Sequence, residues 1–177
     1  MTLQEADDPI DPALIERARR SGYNGMVLAD YDLDRATALQ RELGDPERFP
    51  VERIDARDSE AVAELARRHR SSLVMNAVDP RFVMPIFTGA LAADADYLDM
   101  AMSLSVRHPE APYEKVGVKL GDEQFAMAGE WESAGRLALL GIGVEPGLSD
   151  VFARYAADEL FDHIDELGTR DGANLVI

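Results

Sequence analysis

SLVMNAVDPRFVMPIFTGALAADADYLDMA, residues 72–101, holds a strand-length apolar run, a helix-length segment and a second short apolar run. SLVMNAV (72–78) and DYLDMA (96–101) read as buried strands, because strands covered by helices on both faces are near-continuously apolar. PRFVMPIFTGALAA (80–93) reads as the connecting helix despite Pro85. Strand, helix, strand is a βαβ unit, which implies parallel pairing with a right-handed crossover.

The alternation continues on both sides. GMVLAD (25–30), FPVERID (49–55) and RLALLGIG (136–143) read as further strands. DLDRATALQRELG (32–44), DSEAVAELARRHR (58–70), DEQFAMAGEWESAG (122–135) and LSDVFARYAADELF (148–161) read as helices, with Gly44 as a stop and Asp58 as a cap. A partial helix is expected over Pro12–Arg20, capped by Asp11 and stopped by Gly22. SLSVRHPEAPYEKVGVK (103–119) reads as an irregular loop. HIDELGTRDGANLVI (163–177) reads as a strand, a turn at Asp171-Gly172 and the start of another strand. The fold class is α/β, a doubly wound and mainly parallel sheet. The boundaries are an acidic N-terminal segment with a partial first helix (1–24), the main domain (25–146), and the helix that starts a second α+β domain (147–177).

The 177 residues suffice for one domain core, and 46% hydrophobic against 29% charged residues describes a globular chain. Eighteen Lys and Arg against 34 Asp and Glu give a net charge of −16, which repels nucleic acid and anionic lipid. The absence of cysteine removes disulfides, a thiol nucleophile and cysteine-based zinc sites. No apolar run is long enough to span a bilayer, and MTLQEADDPIDP at the N-terminus lacks the pattern of a targeting signal. A cytoplasmic location is the expectation.

Ligands of doubly wound sheets bind outside the carboxyl ends of the strands, so strand-end residues are the candidates. Asp30 ends its strand and either accepts hydrogen bonds from an adenosine ribose, disfavouring a 2′-phosphate, or caps the next helix, which Asp32 could do instead. Asp55 stands near an adenine edge or simply precedes a turn. Asn76 either meets cofactor backbone or closes a turn before Asp79-Pro80. His108 sits in the long loop with Arg107, Tyr113 and Lys115, either as part of a lid or in ordinary solvated loop. His69 and His163 read as surface residues, and no His, Asp or Glu cluster has metal-ligand spacing.

GIGVEPG (141–147) has the outline of a phosphate loop, with Asp165 following at a plausible distance. It is one residue longer than the dinucleotide fingerprint. Glu145 would set a carboxylate beside a pyrophosphate, and Pro146 would remove a donor. It reads better as a pocket turn, with Glu145 available to an amine.

VMNAVDPRFVMPIFTGALAADADYLDMA together with GDEQFAMAGEWESAGRLALLGIGVEPGLSDVFARYAADELFDHIDELGTRDG resembles the saccharopine dehydrogenase family. The resemblance runs from about residue 25 to the end, carried by NAV, YLDMA and the glycine turn. It implies a Rossmann-like domain binding NAD or NADP, NAD being favoured by Asp30. It places Asp55 and Ala56 near the adenine, Asn76, Ala77 and Val78 along the dinucleotide, and Asp99, Met100 and Ala101 on the nicotinamide side. Gly143, Glu145, Pro146 and Gly147 would border the substrate pocket, and Glu145, Asp99 and His108 are the catalytic candidates. The implied chemistry is hydride transfer at an amine-bearing carbon of an amino-acid-like substrate, in a homodimer. Family members open with a strand and a G-x-G-x-x-G loop, whereas GMVLAD is preceded by MTLQEADDPIDPALIERARRSGYN. The expectation is therefore a fragment lacking the first strand, and the competing reading is a non-catalytic Rossmann-like interaction module.

Overall fold

The computed structural model describes residues 25–170. The helix expected over Pro12–Arg20 and the turn at Asp171-Gly172 lie outside the described residues.

The first unit is strand β1 (Leu28–Asp30), helix α1 (Leu33–Leu43) and strand β2 (Val51–Arg53). α1 starts where its sequence says it should: the Asp32 carboxylate accepts the Asp34 N–H at 2.9 Å, satisfying one of the helix's orphan donors. It stops at Gly44, whose φ of 69° lies in the left-handed region that glycine enters without penalty. Leu28, Ala36 and Phe49 form a small core beneath it.

The second unit carries helix α2 (Ser59–Arg68), strand β3 (Leu73–Asn76), helix α3 (Val83–Ala92) and strand β4 (Asp96–Asp99). Asp58 caps α2 by accepting both the Glu60 and Ala61 N–H groups at 3.1 Å. A 3-10 turn at Pro80–Phe82 leads into α3, which absorbs Pro85 within its first turn, where a missing N–H costs least. α2 and α3 approach closely because Gly89 backs onto α2; a Cβ there would stand 2.7 Å from the Ser59 carbonyl. The main core joins Val62, Ile86, Phe87, Ala90, Tyr97 and Trp131. Phe87 meets Tyr97 edge-on at 5.1 Å and Trp131 at 4.8 Å. Burying each such ring stabilises the fold by about 2–3 kcal/mol.

Helices α4 (Asp122–Ala126) and α5 (Ala128–Ser133), strand β5 (Ala138–Leu139) and helix α6 (Leu148–Tyr155) complete the order, with a π-helical turn over Ala156–Leu160. All pairings between these strands are parallel. The chain is thus mixed α/β with parallel sheets, as the alternation requires.

Four details differ from the sequence reading. The strands form two sheets, β1-β2 and β3-β4-β5, rather than one. The helix expected over 122–135 breaks at Met127, whose N–H turns back to the Gln124 carbonyl. The strand expected over 136–143 is cut to Ala138–Leu139, because the Gly141 N–H is drawn to the Asp99 carboxylate instead of a ladder partner. No strand forms over 163–170: no backbone partner lies alongside, and His163 pairs locally with Asp165 at 2.9 Å.

Candidate functional site

The parallel strands bring Asp30, Asn76, Asp99 and the turn after β5 to their carboxyl ends. Asp30 is half-buried, and its Oδ1 accepts the Asp32 N–H at 2.8 Å. The capping duty belongs to Asp32, so no donor among the described residues occupies Asp30 Oδ2. Next to it Tyr31 is exposed, with the Arg53 guanidinium 5.2 Å above its ring.

Asp55 is clasped by Arg57, which donates from Nε at 2.9 Å, from Nη2 at 2.6 Å and from its backbone N–H at 3.0 Å. These hydrogen bonds to Arg57 hold the Asp55 carboxyl down to about 2. Ala56 turns inward against the main core. Asp79 is held below its usual range in the same way, by Arg81.

Asn76 is buried and fully employed. Its Nδ2 donates to the Tyr97 hydroxyl at 3.0 Å, and its Oδ1 accepts the Val78 N–H at 3.2 Å, closing a turn. Burial raises the Tyr97 phenol above its ordinary range, so the hydroxyl that accepts the Asn76 amide stays protonated. By turning inward, Asn76 leaves Ala77 and Val78 exposed at the strand end.

Asp99 is wholly buried and binds three elements together. Its Oδ2 accepts the Gln124 amide at 2.7 Å, its Oδ1 accepts the Gly141 N–H at 2.6 Å, and its carbonyl accepts the Ile142 N–H at 2.8 Å. Gln124 in turn accepts the Ser103 N–H at 2.8 Å. This carboxylate therefore fixes the loop before α4 and the turn after β5 to the end of β4. Met100 remains exposed beside it, and Ala101 half-buried.

The turn GIGVEPG is wound on itself. Gly143 donates to the Pro146 carbonyl at 3.0 Å, Leu148 to Gly143 at 2.9 Å, and Ser149 to Val144 at 3.1 Å. The Gly147 N–H goes to the Asp150 carboxylate at 2.9 Å. The donors that a helix N-terminus would offer a phosphate are spent within the turn. A Cβ on Gly143 would collide with the Met100 carbonyl, so this close approach requires glycine. The Glu145-Pro146 peptide is cis. Glu145 is exposed and, with Val144, Phe152 and Arg170, borders an open concavity of about 330 Å3.

His108 is a loop cap. Its Nδ1 accepts the Glu110 and Ala111 N–H groups at 3.3 and 3.1 Å, which places the proton of the neutral ring on Nε2. A mutual backbone pair between Val106 and Val118, both bonds 2.9 Å, closes the base of that loop. Tyr113 is 94% exposed at its far side. His69 is bound to Glu52 at 2.7 Å. Among the described residues no group of His, Asp and Glu could hold a metal ion.

Sequence reading did not single out Gln124, Ser103 or Asp150. Gln124 sits in a helix with no periodic signal to mark it, and only the sheet shows that its partner is an acid 25 residues earlier. Asp150 carried a legible sign: an acid in the first turn after a glycine N-cap.

Residues 12–139 match the family model of the saccharopine dehydrogenase NADP binding domain. Carboxynorspermidine synthase of Vibrio cholerae is 31% identical over 129 residues, covering 70% of this chain and 29% of that protein. Carboxyaminopropylagmatine dehydrogenase of Synechocystis is 26% identical over 151 residues, covering 84% and 35%. Apo saccharopine dehydrogenase (L-Glu forming) from Saccharomyces cerevisiae shares the fold, with a TM-score of 0.59 at 18% identity over 84% of this chain and 28% of that one. The chain spans roughly a third or less of the length of these relatives. With its fold and more than half its length matched to that domain, the chain belongs to the saccharopine dehydrogenase family, a family of oxidoreductases.

Proposed function

We propose that this chain supplies most of the dinucleotide domain of an NAD(P)-dependent oxidoreductase acting at an amine-bearing carbon of an amino-acid-like or opine-like substrate. The observation that carries this reading is Asp30: a carboxylate at the tip of a parallel strand, relieved of helix capping by Asp32, with one oxygen open among the described residues. In that position it accepts hydrogen bonds from ribose hydroxyls and repels a 2′-phosphate, which favours NAD over NADP. The family's domain supports NAD(P) use in general. Asp55 and Ala56 border the adenine side, while the exposed Ala77, Val78 and Met100, with the half-buried Ala101, form the floor that follows the dinucleotide.

A bound dinucleotide would supply hydride-transfer chemistry at the carbon bearing nitrogen. The chain's own groups orient and move protons. Asp99, satisfied by Gln124 and Gly141, acts by holding the pocket turn in place. Glu145 is the exposed carboxylate on that turn and is suited to a cationic amine. His108 keeps its Nε2–H for a contact from the loop. The intact protein is read as a cytoplasmic homodimer.

Titrating the chain with NADH and NADPH while following nicotinamide fluorescence tests the proposal. Saturable binding, tighter for NADH and weakened by Asp30→Ala, supports it; no response at millimolar cofactor would refute it for this chain. The alternative is a non-catalytic interaction module, which draws on the edges of β1 and β3 that are unpaired among the described residues.

A further inference from the structure

Among the described residues, Glu145 and Arg170 are the only charged ones lining the concavity of about 330 Å3 beside the pocket turn. Both are exposed, they do not pair with each other, and neither has another hydrogen-bonding or ionic partner among the described residues. Two opposite charges that share a concavity without neutralising one another offer separate places for a cation and an anion. The lining also includes Val144, Leu148, Phe152 and Leu167, all of them exposed apolar side chains.

The turn that carries Glu145 is anchored at both ends. Asp99 holds the Gly141 N–H at 2.6 Å, and the Ser149 N–H of α6 donates to Val144 at 3.1 Å. The carboxylate is therefore presented from a fixed backbone, which lowers the cost of ordering it around a ligand.

We propose that this concavity binds a free aliphatic α-amino acid. Glu145 accepts hydrogen bonds from its ammonium, Arg170 donates to its carboxylate, and the apolar side chains cover its hydrocarbon chain. The assignment rests on the amino-acid-like substrate of the reading above and adds Arg170 as the residue that tells an amino acid from a plain amine. A chain of net charge −16 attracts an amine anywhere on its surface and repels a carboxylate. The carboxylate is held only where a local cation meets it, and a guanidinium does so with two parallel N–H donors.

The test titrates the full chain, without dinucleotide, with L-norleucine, with pentylamine (norleucine without its carboxylate) and with hexanoate (norleucine without its amine). Amide resonances are followed by NMR at near-physiological salt. Norleucine should bind saturably with a dissociation constant on the order of millimolar, shifting Glu145 and Arg170. Pentylamine and hexanoate should each bind about tenfold more weakly or worse. Arg170→Ala should reduce norleucine to the level of pentylamine and leave pentylamine unchanged, and Arg170→Lys should recover part of the loss. Glu145→Gln should reduce norleucine to the level of hexanoate. Melting temperatures equal to that of the parent chain establish that these surface variants are folded. Equal affinity for norleucine and pentylamine, undiminished norleucine binding by Arg170→Ala, or no saturable norleucine binding would each overturn the proposal. No dinucleotide enters these titrations, so this proposal and the cofactor reading fail separately.

Discussion

The Gln124 side chain donates to the buried Asp99 carboxylate at 2.7 Å while its own oxygen accepts the Ser103 N–H at 2.8 Å. This one amide matches an acceptor on one side to a donor on the other, so each partner's chemistry is fixed by the next. Asp99→Asn leaves a donor facing a donor whichever way Gln124 is flipped. Gln124→Glu sets two carboxylates against each other. Each single change should cost about 2–4 kcal/mol. The double variant Asp99→Asn with Gln124→Glu restores every pairing and should recover most of that loss in urea denaturation. Equal losses that simply add would contradict the network.

The Gln124→Glu variant also carries a pH signature. Adjacent carboxylates raise one folded-state pKa above its unfolded value. The stability of a proton held in this way is fully present below the unfolded pKa and is lost as pH rises through the folded one. The variant should therefore approach wild-type stability on mild acidification and fall away towards neutrality, as followed by melting temperature against pH.

Asp55 should behave in the opposite sense. Its carboxyl is depressed from 3.8 to about 2 by Arg57. The stabilising contribution is present above the unfolded pKa and lost as pH falls through the folded value, a window from about 4 to 2. Carboxyl titration by NMR should find Asp55 in the lower part of that window, and Arg57→Gln should return it towards the ordinary value. An unchanged titration in the variant would contradict the clasp.

Two glycine substitutions should have opposite signs. Gly143→Ala drives a Cβ into the Met100 carbonyl and should destabilise the chain by about 2–4 kcal/mol. Gly129→Ala stands in open space within α5 and should stabilise it by up to about 1 kcal/mol. Thermal melts of both variants check the contrast.

How far the sequence could be read follows from the range of each interaction. Asp32, Gly44 and Asp58 act within their own turns, and their roles were legible from neighbouring residues. The parallel βαβ order followed from apolar runs spaced by helices. The Asn76–Tyr97 contact and the Asp99–Gln124 contact join residues 21 and 25 apart, a separation that no local pattern encodes. The strand expected after residue 162 is absent from the described residues because apolar alternation specifies a strand only where another edge accepts it. The reading of GIGVEPG as something other than a phosphate loop rested on its extra residue, Glu145 and Pro146. The structure adds a stronger reason in the spent N–H groups of Gly147, Leu148 and Ser149.

That reason has a direct consequence in solution. If the turn holds its own donors, the amides of Gly143, Leu148 and Ser149 should exchange slowly without any ligand. Millimolar pyrophosphate should leave their NMR resonances in place, while a phosphate-binding turn would show shifts centred on these three residues.

The central claim is a dinucleotide edge organised around Asp30. Its most direct measurement is the ratio of NADH to NADPH affinity in the wild-type chain and in Asp30→Ala. Loss of charged hydrogen bonds to ribose should weaken NADH binding by about tenfold or more. Removing the repulsive carboxylate should leave NADPH binding unchanged or improved, so the ratio moves towards NADPH. Equal weakening of both cofactors, or no saturable binding of either to the wild type, would contradict the account.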